Sequence, residues 1–403
     1  MKTAWRCSLL ISVALVLLTG PVHAQESTFP SWSSQHYRVL SATGEAEARQ
    51  VAERLEAALV LFNGYFHYDL GRLPAPLRVR IFKDRAAYDH HLQALISETR
   101  SDFVFISYSD PSRNELVGFH REQQKEFDAS LLHYGFIQFL TSFVPAPPLW
   151  LAEGMATCLE QAAYDSTSQS FAWRPNLLWL DVLKGILKGG EEAGAIPLAD
   201  LILLDKPQAQ AAIEVFYPTS WGLVHFLLNS PDKRYNRLLW DSVSALDPSL
   251  DLEQNSRRVM ERAFSWVPME ELQSAFQSYI LSLMTFSDLV NQGVRQYNEN
   301  DLEGSMNSFK DALAMRADSY IPYYYLGLIL YQRKAYDEAE AMYLRAQQRG
   351  LEAGLVQYAL GVNAFAAQKY DLAARYLAEA RKLDPAAYAE KVDSLLKRIE
   401  ALR

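Results

Sequence analysis

Residues Leu131 to Glu160 read LLHYGFIQFLTSFVPAPPLWLAEGMATCLE, and this stretch decides the fold. Apolar residues crowd both halves. Pro145, Pro147 and Pro148 break the run between them, because proline lacks the amide proton that a helix interior uses. The spacing predicts two buried helices with a proline-rich break between them. His133 stands near the start of the first helix, and Glu153 within Trp150-Leu151-Ala152-Glu153-Gly154 in the second. Cys158, in the same helix, reads as a small core hydrophobe.

Upstream, His36 to Ser41 (HYRVLS) alternates and is rich in strand formers, and is read as an edge strand. Glu45 to Phe66 has apolar positions at helical spacing, from Ala48 and Val51 through Leu55 to Phe62. Leu77 to Phe82 (LRVRIF) is a second strand, followed by Asp84 as the cap of a helix over Arg85 to Leu95. Phe103 to Tyr108 and Leu116 to His120 are two further strands, joined by a turn at Asp110 to Asn114. Downstream the pattern is helical. Helices are predicted over Trp173 to Leu187, Tyr217 to Leu228 with Thr219 as cap, Asn236 to Leu246, Leu252 to Phe264 and Trp266 to Met284, with Ala195 to Leu204 as a loop and short helix.

The last 120 residues or so are a different object. Gly293, Gly327 and Gly361 stand 34 residues apart, as do Ser305, Ala339 and Ala373, and Ala312, Ala346 and Ala380. Bulky residues keep the same register at Phe309, Tyr343 and Leu377. A 34-residue period with small residues at the helix crossing is the tetratricopeptide signature. Within it, Tyr297, Tyr324, Leu328, Tyr331, Tyr358 and Phe365 fall on the first helix of each unit, where such arrays line a concave groove. They are candidate partner-binding positions. The same side chains could instead pack against the capping helix or the preceding domain.

With HYRVLS, LRVRIF followed by KDRAAY, WLAEG and YPTSWGLVHFL in that order, residues 36 to 283 resemble a bacterial family of gluzincin-type, peptidase-like proteins. Those proteins are often exported and fused to helical repeats. The resemblance implies an α+β, mostly helical fold and a zinc site built on H-E-x-x-H plus a Glu on the next helix. Here the five residues are His133-Tyr134-Gly135-Phe136-Ile137. In the intact motif, two histidines one helical turn apart bind one metal, and the Glu takes a proton from its water. Ile137 cannot bind metal, and a tyrosine such as Tyr134 titrates far too high to serve as base at neutral pH. His133 and Glu153 are left as relic ligand positions, expected to form a buried hydrogen-bonded pair inherited from an active ancestor. His120 and His225 lack the spacing of a third ligand, although folding could bring either close. Tyr217 matches a position that can steady an oxyanion in the family.

The N-terminus carries Lys2 and Arg6, an apolar run from Leu9 to Leu18, and a small-residue site, Val22-His23-Ala24, before Gln25. This is the pattern of a cleaved signal peptide, with an apolar run too short to span a bilayer. Cleavage leaves Cys158 as the one cysteine, so no internal disulfide can form. A net charge of −9 with no run of like charge argues against nucleic acid as a partner.

The expected organisation is a signal peptide over 1–24, an α/β subdomain over 25–125, a helical subdomain over 126–283, three repeats over 284–386 and a capping helix over 387–403. The expected function is that of an exported, periplasmic or secreted, non-catalytic protein that binds a protein partner through the repeat groove and uses no cofactor. Two alternatives stand beside it. One is an active zinc metallopeptidase with an atypical site on His133, Glu153 and a third ligand. The other is a module that binds an envelope polymer in the old peptidase cleft.

Overall fold

The computed structural model describes the backbone of 13–16 and residues 29–97, 99–173 and 175–402. Apart from those four backbone positions, the expected signal peptide lies outside the described residues. The fold is α+β and mostly α, and it divides into two compact units between Leu283 and Met284.

The first unit contains a mixed sheet. Its strands are β1 (Val13–Val16), β2 (Ser31–Ser33), β3 (Tyr37–Ser41), β4 (Leu77–Phe82), β5 (Val104–Tyr108) and β6 (Glu115–Phe119), in the order β1-β5-β6-β4-β3-β2. Strand β4 runs parallel to β3 and β6, while β5 runs antiparallel to β6. The pleat sends alternate residues to opposite faces. Val39, Val79 and Leu116 lie in register and are fully buried, whereas the neighbouring row on the other face is Arg38, Arg78 and Glu115. The HYRVLS strand is not at the edge, as its sequence suggested. The three-residue β2 pairs outside it, too short to register as a strand pattern.

Helix α1 (Glu45–Phe66) buries Ala48, Val51, Ala52, Leu55, Leu59 and Phe62 and ends at His67 in the left-handed region. Helix α2 (Arg85–Ile96) begins at Asp84, whose side chain accepts from Ala87 N at 2.8 Å. Helices α3 (Gln124–Phe143) and α4 (Leu149–Leu159) flank the proline break, and every residue of α4 is buried. A Cβ at Gly154 would sit 2.5 Å from Ser220 O, so glycine there lets the backbones of α4 and α8 (Ile213–Asn229) approach closely.

Three expectations in this region need correction. The helix expected over Trp173 to Leu187 is α5 (Leu180–Gly189), and the chain before it runs irregularly after a hairpin of β7 (Ala163–Asp165) and β8 (Ser170–Ala172). Thr219 does not cap α8. That helix starts at Ile213 and runs through Pro218, and Thr219 Oγ1 donates to Val215 O at 2.7 Å. Beyond α6 (Leu198–Leu203), α7 (Lys206–Ala211) and α9 (Lys233–Ala245), the helix expected over Leu252 to Phe264 splits into α10 (Leu252–Val259) and a π-helical turn at Met260–Phe264. Helix α11 (Met269–Ser282) closes the unit with Leu272, Phe276 and Ile280 turned inward.

The second unit is helical and repeat-like: α12 (Phe286–Asn298), α13 (Leu302–Met315), α14 (Tyr320–Gln332), α15 (Tyr336–Gln348), α16 (Ala353–Ala366), α17 (Tyr370–Leu383) and α18 (Pro385–Leu402). The second helices of the pairs begin at Leu302, Tyr336 and Tyr370, the same 34-residue step as the glycines. Each glycine faces a bulky side chain on its pair. An added Cβ would lie 2.8 Å from the Phe309 ring at Gly293, 2.5 Å from the Tyr343 ring at Gly327 and 2.7 Å from Leu377 at Gly361. Helix α18 starts two residues before the capping helix read from sequence, with Pro385 in its first turn, where a missing amide proton costs little. Among the described residues, no helix is long and apolar enough to cross a membrane.

Candidate functional site

The proline break folds α4 back so that Glu153 meets His133 across the α3–α4 contact. His133 Nε2 lies 3.2 Å from Glu153 Oε2, and the ring's other nitrogen, Nδ1, lies 2.7 Å from Glu160 Oε1 at the end of α4. His133 is 7 % exposed and Glu153 2 %, while Glu160 keeps about a quarter of its side chain in solvent. Asn176 Nδ2 donates to Thr157 O at 2.7 Å and reaches Glu160 Oε2 at 3.4 Å, pinning the irregular segment before α5 to this cluster.

Burial alone would push the His133 ring down. Hydrogen bonds and charge from Glu153 and Glu160 outweigh it and push the ring up to about 10. An imidazolium between two carboxylates is the consistent state, with both nitrogens donating. Glu160 is raised by burial, against which the hydrogen bond and charge of His133 pull. Lys206, at the start of α7, is held below its ordinary range by burial, with the charge of Glu153 pulling the other way.

The remaining motif positions do not rebuild a metal site. Tyr134 packs beside the His133 ring at 4.8 Å, and its phenol is pushed well up by burial, with Asp102, Tyr217 and Glu153 adding to the effect. It stays protonated and cannot serve as a base. Ile137, one turn beyond His133, is 1 % exposed and belongs to the apolar core. Zinc needs at least three protein donors at about 2.0–2.2 Å converging on one point. Glu153 and Glu160 lie on different nitrogens of one ring, so the donor set here does not converge and does not fit the ion.

The two histidines weighed as a third ligand are engaged elsewhere. His120 Nδ1 lies 2.7 Å from Glu47 Oε1, and His225 Nδ1 lies 3.2 Å from the Tyr279 hydroxyl. Tyr217 is buried on α8, its ring edge-on to Phe216 at 5.4 Å. The sequence reading missed Glu160 as a partner of His133. Its signal was there: Glu153 and Glu160 are seven residues apart, two turns along one helical face.

In the second unit, the six candidate groove residues are half-buried and none is fully exposed. Tyr358 stacks on Tyr388 of α18 at 5.1 Å, and Arg398 of α18 lies over Phe365 at 5.0 Å. Tyr297 meets Tyr325 edge-on at 5.4 Å and accepts from Gln332 Nε2 at 2.8 Å. Tyr324 lies 6.1 Å from Tyr343, Tyr331 lies 6.0 Å from Tyr336, and Leu328 packs at the rim of the same core. Much of each ring is therefore spent on the seams between helices. Tyr358 and Phe365 are covered by the chain's own last helix.

No family model matches the chain, and no curated protein matches it.

Proposed function

We propose that this is an exported, non-catalytic protein in which a peptidase-like domain, related to gluzincins but without their chemistry, carries tetratricopeptide repeats that bind a protein partner. The observation that supports it most is the occupation of the His133 ring. Both nitrogens are held by carboxylates, and the residue one turn on is a core isoleucine. A ring locked in this way ties α3 to α4 and has no lone pair to offer a metal. Tyr134, buried and protonated, cannot activate water at the position of the motif's Glu. What remains for function is surface, and the half-exposed tyrosines of the first two repeats, Tyr297, Tyr324 and Tyr331, are the aromatic type that anchors protein interfaces.

Elemental analysis of protein purified without added metal tests the reading. Zinc well below stoichiometric is expected, and Glu153→Ala should leave that level unchanged. About one zinc per chain, lost in Glu153→Ala, would overturn it and make the protein a metallopeptidase with an atypical site.

A further inference from the structure

The sheet carries a second cluster on the face opposite the Val39–Val79–Leu116 row. Arg38 and Arg78 are direct neighbours in the parallel register of β3 and β4, and Glu115 sits opposite Arg78 on β6. Like charges side by side on adjacent strands repel, so this placement calls for a counter-charge. Glu115, 3 % exposed, supplies part of it. Its carboxylate accepts from Arg80 Nε and Nη2, both at 3.0 Å, and stands a looser 3.7 Å from Arg78 Nη2.

That bidentate grip uses up Glu115 on Arg80. Arg78 Nε is buried without a hydrogen-bond partner, and the Nε2 of neighbouring His91 is in the same condition. Arg113, in the turn between β5 and β6, places its guanidinium 4.9 Å from the Tyr108 ring centroid. The Tyr108 phenol is raised by burial and then by Glu115, while Arg113, Arg80 and Arg78 pull it down, so all four charges reach it. Arg38 is exposed and pairs with no acid among the described residues. The guanidinium groups of Arg78, Arg80 and Arg113 thus gather around Tyr108, with Arg38 beside Arg78 in the strand register, while the Asp110 carboxyl is held low first by hydrogen bonds from Ser112 and then by Arg113. On a chain of net charge −9, this is a local excess of positive charge with open N–H donors.

We infer that Arg38, Arg78 and Arg113, with the Tyr108 hydroxyl, form a binding site for a phosphate group. Guanidinium is planar and presents paired donors that match the oxygens of a phosphate, and it keeps its charge at any physiological pH. A tetrahedral anion has enough acceptors to satisfy several donors at once, which one further carboxylate does not. The group can arrive on a dissolved phosphomonoester or on a lipid headgroup, and the chemistry at the arginines is the same. This site is independent of the His133 cluster and of the repeats.

Calorimetric titration of the full chain with inorganic phosphate, at ionic strength matched with sodium chloride, tests it. Saturable binding is expected. The double variant Arg38→Gln/Arg113→Gln should weaken it by about tenfold or more, the loss of two charge-assisted hydrogen bonds. Neither guanidinium makes a hydrogen bond among the described residues, and the backbone bonds of both positions survive the substitution, so the variant should keep the wild-type melting profile. Flotation with phosphatidic acid vesicles, against phosphatidylcholine alone, separates the sources: retention with the same arginine dependence assigns a headgroup, and phosphate binding without retention assigns a dissolved ligand. A phosphate response equal to that of chloride, or one the double variant leaves intact, overturns the site.

Discussion

Glu160 Oε1 lies 2.7 Å from His133 Nδ1, so two carboxylates of one helix hold opposite nitrogens of a single ring. The arrangement makes α4 a clamp on α3. Breaking a buried ion pair leaves the other charge uncompensated, which costs more than the pair contributes when intact.

Glu153→Gln should therefore destabilise the first unit by on the order of 3 kcal/mol. Glu160→Gln should cost less, roughly 1–2 kcal/mol, because water reaches part of its side chain and screens the charge. Urea unfolding of the two variants gives the order directly. Wild-type stability in both would mean the ring is not charged.

The two buried histidines set opposite limbs of the pH profile. His133 is raised above its unfolded value of 6.5 to about 10, so its contribution is complete below pH 6.5 and is lost as pH rises towards 10. His225 is depressed by burial to about 4, so its contribution is present above pH 6.5 and is lost as pH falls through 4. His133→Gln should flatten the alkaline limb and His225→Asn the acid limb. Melts of both variants across pH 4 to 10, set against wild type, check the assignment, and exchanged limbs would refute it.

In the second unit, Gly327→Ala would place a methyl group against the Tyr343 ring, 2.5 Å away. Overpacking of this kind costs about 1–3 kcal/mol. Gly64→Ala, in the open with nothing within 4 Å, should be neutral or slightly stabilising. A thermal shift in the second variant matching that in the first would show that steric contact is not the cause.

Tyr331→Ala should weaken capture of the partner by roughly thirtyfold, the equivalent of about 2 kcal/mol for an aromatic anchor. The helical signal of the full chain should persist, since the ring is only half-buried. Loss of helix with capture intact would make Tyr331 part of the repeat core, like Tyr343.

The elements easiest to read from sequence were those whose packing follows a local period. Glu45 to Phe66 and Leu77 to Phe82 were legible to the residue because one face of each is uniformly apolar. Asp84 was legible as a cap because its acceptor role depends on three residues only. The start of α5 was not, because Trp173, Leu177 and Trp179 are apolar through packing on the main core and not through helical register. Thr219 misled for a related reason: threonine caps helices well, but inside α8 its hydroxyl bonds back to Val215 instead. The His133–Glu153 pair could be read from its neighbours in sequence. Glu160, the partner of Nδ1, was legible too, through its seven-residue spacing from Glu153, but the arginine row depended on strand register, which only the folded chain supplies.

The glycine contacts also bear on how the chain acquires its structure over time. Gly293 closes on Phe309, Gly327 on Tyr343 and Gly361 on Leu377, each pair a short loop of sequence apart. Parallel strands β3 and β4, by contrast, cannot pair until all of α1 has been synthesised between them. Low contact order favours fast closure. Each C-terminal hairpin can therefore lock while the chain is still threading through a narrow exit, one pair after another. The sheet must wait for distant segments to meet.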